Sequence, residues 1–491
     1  MKEVKNQGFF ATLKRGSAWL FLFETLKAAS QLIITIILAR LLSPSDFGVV
    51  AVALVCVSII DSFSEFGIQT TLIQRVSKNP KILQTAWSLM FLRGVFLCVL
   101  TILIAPFVSQ LLGAPEASIF IVALSFKFIL IGLTSPNAWI LARDFKFRQD
   151  FLYSSSGIAI RFIVMISIAY WLQNAWVIVI GALAMPMTRL VVSHVFFPLK
   201  PEFKLEWRFV AEIYSFSKWL FLSQIVHVIY RGFPIALIGR YFSLDEVGFF
   251  RIADQMGNFL VQIVRKISGR VLIPVVSQLN RENLGHKQQS LDTINIISFV
   301  ILPVCVLGAF LSEEIVLVLL GEKWLSVSNT LAVLMLAGST QALTQVLISF
   351  MIGVGDTKSE WLIRSFNVLV AGSLSLFLVV KFGALGVAIS LSMGSLLSLA
   401  LSIFLMSRQH KVCYKTQIYN ILQSVFPSAL TISALYLCDI SFEFLALSLV
   451  VNAVVGIFFY FLFSLSFWWV TGLGALTLIV PVKLQDRFRP K

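Results

Sequence analysis

Apolar residues in this chain come in long runs that have no polar face. Leu32–Leu38 and Val49–Val57 are apolar on every side. Many runs extend over about 18 to 25 residues, the length that a helix needs to cross about 30 Å of hydrocarbon. A transmembrane barrel would instead show strands of about ten residues with alternating polarity. The pattern therefore predicts membrane-spanning helices and excludes a barrel.

We predict about fourteen transmembrane helices, separated by short charged stretches. Their predicted bounds are 17–38, 47–66, 86–105, 117–136, 152–171, 177–197, 217–238, 248–268, 294–311, 329–350, 361–380, 385–406, 421–437 and 445–466. Residues 467–482 are predicted as an interfacial helix or as part of a further span.

The charges of the predicted loops orient these helices. Cytoplasmic loops of membrane proteins are enriched in Lys and Arg, and the predicted loops carry 26 basic residues on one side against Arg40, Arg240, Lys323 and Lys381 on the other. We therefore expect a multi-pass protein of the cell inner membrane with both termini in the cytoplasm. The first apolar run has no small-residue cleavage pattern after it, so we expect no removable signal peptide.

Composition supports a membrane protein and gives no sign of an enzyme. Hydrophobic residues make up 58% and charged residues 13% of the chain, against about 45 to 50% and about 25% in soluble domains. The four histidines are scattered, and no Walker, GxSxG or metal-ligating Cys/His pattern occurs. We expect no catalytic residue, no enzymatic activity, no metal, no cofactor and no nucleic-acid partner.

An internal repeat appears at an offset of 200 residues. ILARLLSPSDFGVVAVA from Ile37 aligns without gaps on LIGRYFSLDEVGFFRIA from Leu237. Six predicted helices separate the copies, so both halves cross the membrane in the same direction, an arrangement of transporters. We predict an N-terminal lobe at 1–207, a C-terminal lobe at 208–408, and two extra helices with a basic tail at 409–491. Alternatively, the matching residues mark only a polar connection between helices with a glycine at a tight turn.

Several Lys and Arg residues lie inside the predicted helices. Each would cost several kcal/mol against lipid, so each is expected to face protein or water. Lys218, Arg251 and Arg364 lie within about a turn of a helix end, where a long side chain reaches the interface. The remaining six lie deeper and are our candidate substrate-binding residues: Lys27, Arg93, Lys127, Arg161, Arg189 and Arg231.

Acidic residues in the predicted helices are fewer. Glu24, Asp61 and Asp254 are candidates for pairing or for ion coupling. Any single buried cation can simply lock the bundle by pairing with a distant acid or a helix C-terminus. The surplus of cations as a set favours a hydrated cationic cavity that holds an anion such as a phosphate or an acidic sugar.

Four segments resemble Wzx-type polysaccharide flippases of the MOP exporter superfamily, in the branch of colanic-acid and teichuronic-acid exporters. They are ARLLSPSDFGVVAVA from Ala39, DSFSEFGIQTTLIQR from Asp61, GRVLIPVVSQL from Gly269 and LLGEKW from Leu319. The resemblance implies a MATE-like all-α fold, with two six-helix lobes in a V and two additional C-terminal helices. It also implies flipping of an undecaprenyl-diphosphate-linked oligosaccharide to the outer leaflet by alternating access. Glycosyltransferases and a polysaccharide polymerase are the expected protein partners.

Other functions stay open from the sequence alone. An ion-coupled drug exporter of the same fold would favour acidic residues in the cavity. A membrane polysaccharide polymerase or ligase would carry a large outer loop, whereas the outer loops predicted here are short. A scaffold for glycosyltransferases would not explain the buried cations.

Overall fold

A computed structural model describes residues 2–62, 80–138, 141, 146–198, 202–207, 232–282, 287–438, 442 and 444–471. Within these ranges every regular element is helical, and ten helices are long and apolar enough to cross a membrane. Helices suit these sequences because hydrocarbon offers no hydrogen-bonding partner, so each span must satisfy its own backbone groups. The predicted all-α membrane fold is confirmed.

Among the described residues of the first half, the long helices are α1 (Lys2–Leu41), α2 (Pro44–Ser62), α3 (Pro80–Leu111), α4 (Ala117–Leu133), α5 (Phe147–Leu172) and α6 (Trp176–Phe196). Residues 232–241 are also helical. The second half contains α7 (Leu244–Gly257), α8 (Phe259–Ile267), α9 (Ile273–Arg281), α10 (Lys287–Phe310), α11 (Ser312–Leu319), α12 (Val327–Gly353), α13 (Thr357–His410), α14 (Tyr414–Cys438) and α15 (Leu445–Thr471). A π-helical turn, Ser268–Leu272, joins α8 to α9.

The longest helix, α13, contains two of the predicted spans. A straight helix of its 54 residues would measure about 80 Å at 1.5 Å per residue, far more than the bilayer core. Gly383 interrupts it with φ 56° and ψ −135°, a conformation that glycine adopts readily. The chain turns back at Gly383, and at the far end of the helix Nε2 of His410 lies 3.1 Å from Oδ2 of Asp356, the residue that precedes the helix. The predicted pair 361–380 and 385–406 is therefore a tight helical hairpin.

Other predicted spans correspond less directly to the helices of the structure. Most of the span predicted at 217–238 lies outside the described residues, as do residues 472–491. The span predicted at 248–268 consists of the end of α7 and all of α8, with a break at Asn258. The total of fourteen spans is compatible with the described helices and stays a prediction.

The chain divides into two compact units, Met1–Gly248 and Phe249–Lys491. In the first unit α4 packs against α2, α3 and α6, while α5 packs against α1 and α6. In the second unit α12 packs against α10 and α13, and α14 packs against α10 and α15. The predicted division at 207 and 408 stays a prediction.

The 200-residue repeat has a matching local structure in both copies. In each copy a helix ends two residues before a serine, Ser43 or Ser243, and a new helix begins directly after it. The Ser43 hydroxyl accepts from the backbone N–H of Asp46 at 3.2 Å, and the Ser243 hydroxyl accepts from that of Glu246 at 3.4 Å. These are helix-capping contacts. Shared capping at the same offset supports a true structural repeat.

Candidate functional site

Eight of the nine candidate residues lie within the described ranges. Arg231 lies outside them. Seven of the eight belong to the first unit: Glu24, Lys27, Asp61, Arg93, Lys127, Arg161 and Arg189. Asp254 belongs to the second unit, where its carboxylate accepts a 2.6 Å hydrogen bond from the side-chain amide of Asn258.

Asp61, Arg93 and Lys127 form one charged cluster, which we call the charge triad. The Nη2 of Arg93 lies 2.6 Å from Oδ1 of Asp61, and the Nζ of Lys127 lies 3.4 Å from Oδ2. The three residues come from α2, α3 and α4, which pack together. The side chains of Arg93 and Lys127 are 14% and 21% exposed, against 32% for Asp61. The carboxylate is thus the most accessible member of the triad.

The triad has a formal charge of +1, because one carboxylate faces two cations. Arg93 also donates a 3.2 Å hydrogen bond to the backbone carbonyl of Asp61, which fixes the guanidinium against the last turn of α2. Lys127 lies 5.0 Å from the centre of the Phe128 ring, within the range of a cation–π contact. The arrangement can bind an anion by exchanging the carboxylate for another oxyanion.

Arg161 and Arg189 lie in a second place, the seam between α5 and α6. Tyr153, Gly157, Arg161 and Met165 are spaced by four residues and so share one face of α5. A Cβ at Gly157 would lie 3.3 Å from the Cγ of Arg189 on α6. Both arginines are therefore brought to one helix interface.

Neither arginine in this seam forms a carboxylate ion pair within the described part of the chain. The Nε of Arg161 contacts the sulfur of Met165 at 3.4 Å, a weak acceptor. The Nε of Arg189 is buried and has no hydrogen-bond partner among the described residues. Arg189 also interacts electrostatically with Tyr153 and Asp150 on α5. Half-buried guanidinium groups with weak partners are suited to an anionic ligand.

Glu24 and Lys27 occupy one stretch of α1, and α1 packs against α5. Lys27 is exposed and Glu24 is partly buried. Both residues make further contacts. Their assignment to a substrate cavity stays a prediction.

Sequence reasoning selected these cations but missed how they are grouped. The intervals between Asp61, Arg93 and Lys127 are 32 and 34 residues, and no periodicity connects them. Tyr153 and Asp150 were not selected either. The i, i+4 spacing of Tyr153 with Gly157 and Arg161 is the signal that could have indicated Tyr153.

The family model described as a polysaccharide biosynthesis protein matches residues 37–329. One relative is the succinoglycan biosynthesis transport protein ExoT of Rhizobium meliloti (strain 1021), 26% identical over 353 residues that cover 70% of each chain. Another is the lipopolysaccharide biosynthesis protein WzxC of Escherichia coli (strain K12), 20% identical over 400 residues that cover 80% of each chain. The predicted resemblance to polysaccharide exporters is confirmed.

Two solved structures share the fold. The lipid II flippase MurJ in an inward closed conformation matches with a TM-score of 0.75 and 16% identity, over 92% of this chain and 98% of that one. An inward-facing multidrug resistance MATE family transporter of the MOP superfamily matches with a TM-score of 0.64 and 15% identity, over 79% and 95%. At these identities the likeness concerns the fold alone, and it agrees with the predicted MATE-like architecture.

Proposed function

This chain belongs to the polysaccharide biosynthesis protein family, and from that membership we propose that it is a flippase for lipid-linked oligosaccharides. The substrate is an oligosaccharide attached through a diphosphate to a polyprenyl lipid, undecaprenyl in the resembling branch. The protein carries it from the cytoplasmic to the outer leaflet by alternating access. The names of ExoT and WzxC, a transport protein and a lipopolysaccharide biosynthesis protein, support this function.

One observation carries the proposal, the position of Arg161. It lies 14 residues after the start of α5 and 11 before its end, about 21 and 17 Å along the helix axis at 1.5 Å per residue. At that depth a cation needs a strong counter-charge, yet its contact in the described structure is the sulfur of Met165. A diphosphate passing between the leaflets supplies that counter-charge.

We assign the charge triad the part of an exchange site. While no substrate is bound, Asp61 keeps Arg93 and Lys127 in place without leaving two cations unpaired. An incoming diphosphate brings more negative charge than one carboxylate, and a guanidinium binds it through two parallel hydrogen bonds. Asp61 then moves aside and returns on release. The greater exposure of Asp61 compared with Arg93 and Lys127 supports this order.

The cellular location, the orientation and the protein partners follow from the same proposed function. The protein lies in the cell inner membrane with both termini in the cytoplasm, where glycosyltransferases assemble the substrate. A polysaccharide polymerase receives the product at the outer face. No enzymatic step is assigned to this chain, since flipping makes and breaks no covalent bond.

The test is replacement of Arg161 in cells that depend on this chain for their surface polysaccharide. Arg161→Gln removes the charge but keeps a polar side chain. We expect loss of surface polysaccharide and accumulation of lipid-linked oligosaccharide in the inner leaflet, while the protein level in the membrane is unchanged. Arg161→Lys should recover part of the export, because it restores the charge without the planar fork.

The matched control is Arg364→Gln. Arg364 is 37% exposed and pairs with Glu360 one turn away on α13, so export should continue in this variant. Normal export in Arg161→Gln would overturn the role of Arg161. Unaltered surface polysaccharide after deletion of the whole gene would overturn the function itself.

A further inference from the structure

An apolar groove of about 660 Å³ lies between α13 and α14 in the second unit. Its walls include Leu397, Ala400 and Phe404 on α13, and Ile418 and Leu422 on α14. The volume is within the range of about 300 to 1,000 Å³ that is typical of ligand pockets. Along α13 the lining extends from Leu396 to Arg408, about 18 Å at 1.5 Å per residue, so the groove can receive a hydrocarbon chain.

The groove has a basic end. Arg408 and Tyr414 line it there, Lys411 lies in the connection between the helices, and Lys415 lies in the first turn of α14. Arg408, Lys411 and Lys415 are all exposed, and none of them forms an ion pair with another described residue. Three cations at one end of an apolar groove match the charge and shape of a lipid with an anionic head.

The start of α14 at the same end also favours negative charge. Cys413 precedes the helix, and its thiol lies beside hydrogen-bond donors of Thr416 and Lys415 in the first turn of α14. These donors hold the pKa of the exposed Cys413 thiol below its usual value. The backbone amides at a helix N-terminus stabilise phosphate in the same way.

We propose that this groove binds one anionic phospholipid of the surrounding membrane, with an acyl chain between α13 and α14 and its phosphate at Arg408. Basic residues near a membrane surface attract anionic lipid. The site lies on α13 and α14, whereas the charge triad and the α5–α6 seam belong to the first unit. The proposal therefore does not depend on the proposed function.

The experiment measures lipid binding to the full-length purified protein by native mass spectrometry, with phosphatidylglycerol and phosphatidylethanolamine as probes. We expect phosphatidylglycerol, which carries a net negative charge, to bind about tenfold more tightly than zwitterionic phosphatidylethanolamine, because basic residues near the membrane surface attract lipid with a net negative charge. Arg408→Gln should remove this preference. Ala400→Trp should fill the groove and weaken the binding of both lipids.

Two controls match these variants. Lys358→Gln removes an exposed cation on the same predicted side of the membrane, outside the groove. Leu369→Trp places an indole on an exposed surface of α13 away from the groove. Both should bind phosphatidylglycerol like the unmodified protein.

Three results would overturn the proposal. They are equal binding of the two lipids, unchanged binding in Arg408→Gln, and displacement of phosphatidylglycerol by undecaprenyl phosphate. The last result would assign the groove to the transported lipid instead. It would leave the proposed function intact.

Discussion

Asp61 holds two cations with one carboxylate, and from this shared contact we predict the coupling free energy between Asp61 and Arg93. Asp61→Asn and Arg93→Gln, made singly and together, form a double-mutant cycle. Because the Asp61–Arg93 contact is 2.6 Å long and the Arg93 side chain is 14% exposed, we expect a coupling free energy on the order of 1 kcal/mol or more. Reversible unfolding of the detergent-solubilised protein measures it.

A second pair provides the control for that cycle. Glu360 and Arg364 are in contact at 2.7 Å but are 27% and 37% exposed, and they lie one turn apart on the same helix. Such pairs contribute about 0.3 to 0.5 kcal/mol. If the Asp61 cycle gives no larger coupling than the Glu360 cycle, then the triad adds no stability beyond that of a surface pair.

We expect the stability of the folded protein to depend on pH through the ionisation of Asp356. Partial burial opposes its ionisation, but the neighbouring Ser359, whose backbone N–H donates to the carboxylate at 3.0 Å, and His410 outweigh that effect and hold its pKa below its usual value. A carboxyl group with a lowered folded-state pKa stabilises the protein above its unfolded value of about 3.9, and the stabilisation is lost as pH falls through the folded value.

Asp356→Asn separates the charge from the cap at this position. Asn caps a helix about as well as Asp, so the variant loses only the charge. We expect it to melt below the unmodified protein at pH 7, and we expect the difference in melting temperature to shrink as the pH falls below the unfolded value of about 3.9. A difference in melting temperature that stays constant over this range would exclude the charge as its cause.

Individual cations could be predicted from the sequence because a charge inside an apolar run is conspicuous. Their partners could not, because the helices are apolar on most faces and the sequence gives little indication of which face turns inward. Asp61 is an example. Its place in a predicted helix could be read from the sequence, whereas its contacts with Arg93 and Lys127 depend on how three helices rotate and pack.

At the scale of the helices, Gly48 and Gly248 allow a close reciprocal crossing in the first unit. A Cβ at Gly48 would overlap the backbone carbonyl of Leu244, and a Cβ at Gly248 would overlap that of Pro44. Backbone cannot give way as the tip of a flexible side chain can. We therefore expect Gly48→Ala and Gly248→Ala each to destabilise the protein by about 1 to 3 kcal/mol, seen as a lower melting temperature.

Gly269→Ala is the matched control for the crossing. Gly269 lies in the π-helical turn with open space around it, so a methyl group there meets no other atom. Alanine is favoured over glycine in a helix by about 0.5 to 1 kcal/mol, and the melting temperature should stay the same or rise. Equal losses at positions 48, 248 and 269 would contradict the close crossing.

The helix positions were more predictable than their junctions. Length and hydropathy alone separated α13 into two spans, since one continuous helix would exceed the membrane thickness. The junctions depend on backbone geometry that hydropathy does not record. The π-helical turn after α8 is such a case, because Ser268 and Gly269 could equally continue an α-helix.

For the molecule as a whole, orientation in the membrane is predicted from loop charge and can be tested with native cysteines. Cys413 and Cys438 are exposed, while the other three cysteines of the chain are buried. Cys413 directly precedes the 25-residue helix α14, and Cys438 is its last residue. The helix is about 37 Å long, so we expect the two thiols to lie on opposite sides of the membrane. With both termini cytoplasmic, Cys413 lies inside and Cys438 outside.

Cys413→Ser and Cys438→Ser leave one exposed thiol each. In intact cells a membrane-impermeant maleimide should label the variant that keeps Cys438, and it should label the variant that keeps Cys413 only after permeabilisation. Because the pKa of Cys413 is lowered by the donors at the start of α14, more of its thiol is ionised at neutral pH, and its labelling should then be rapid. The opposite labelling pattern would invert the protein in the membrane. It would also reverse the direction of transport inferred from the loop charges. Labelling of both thiols from outside would instead show that α14 does not cross the membrane.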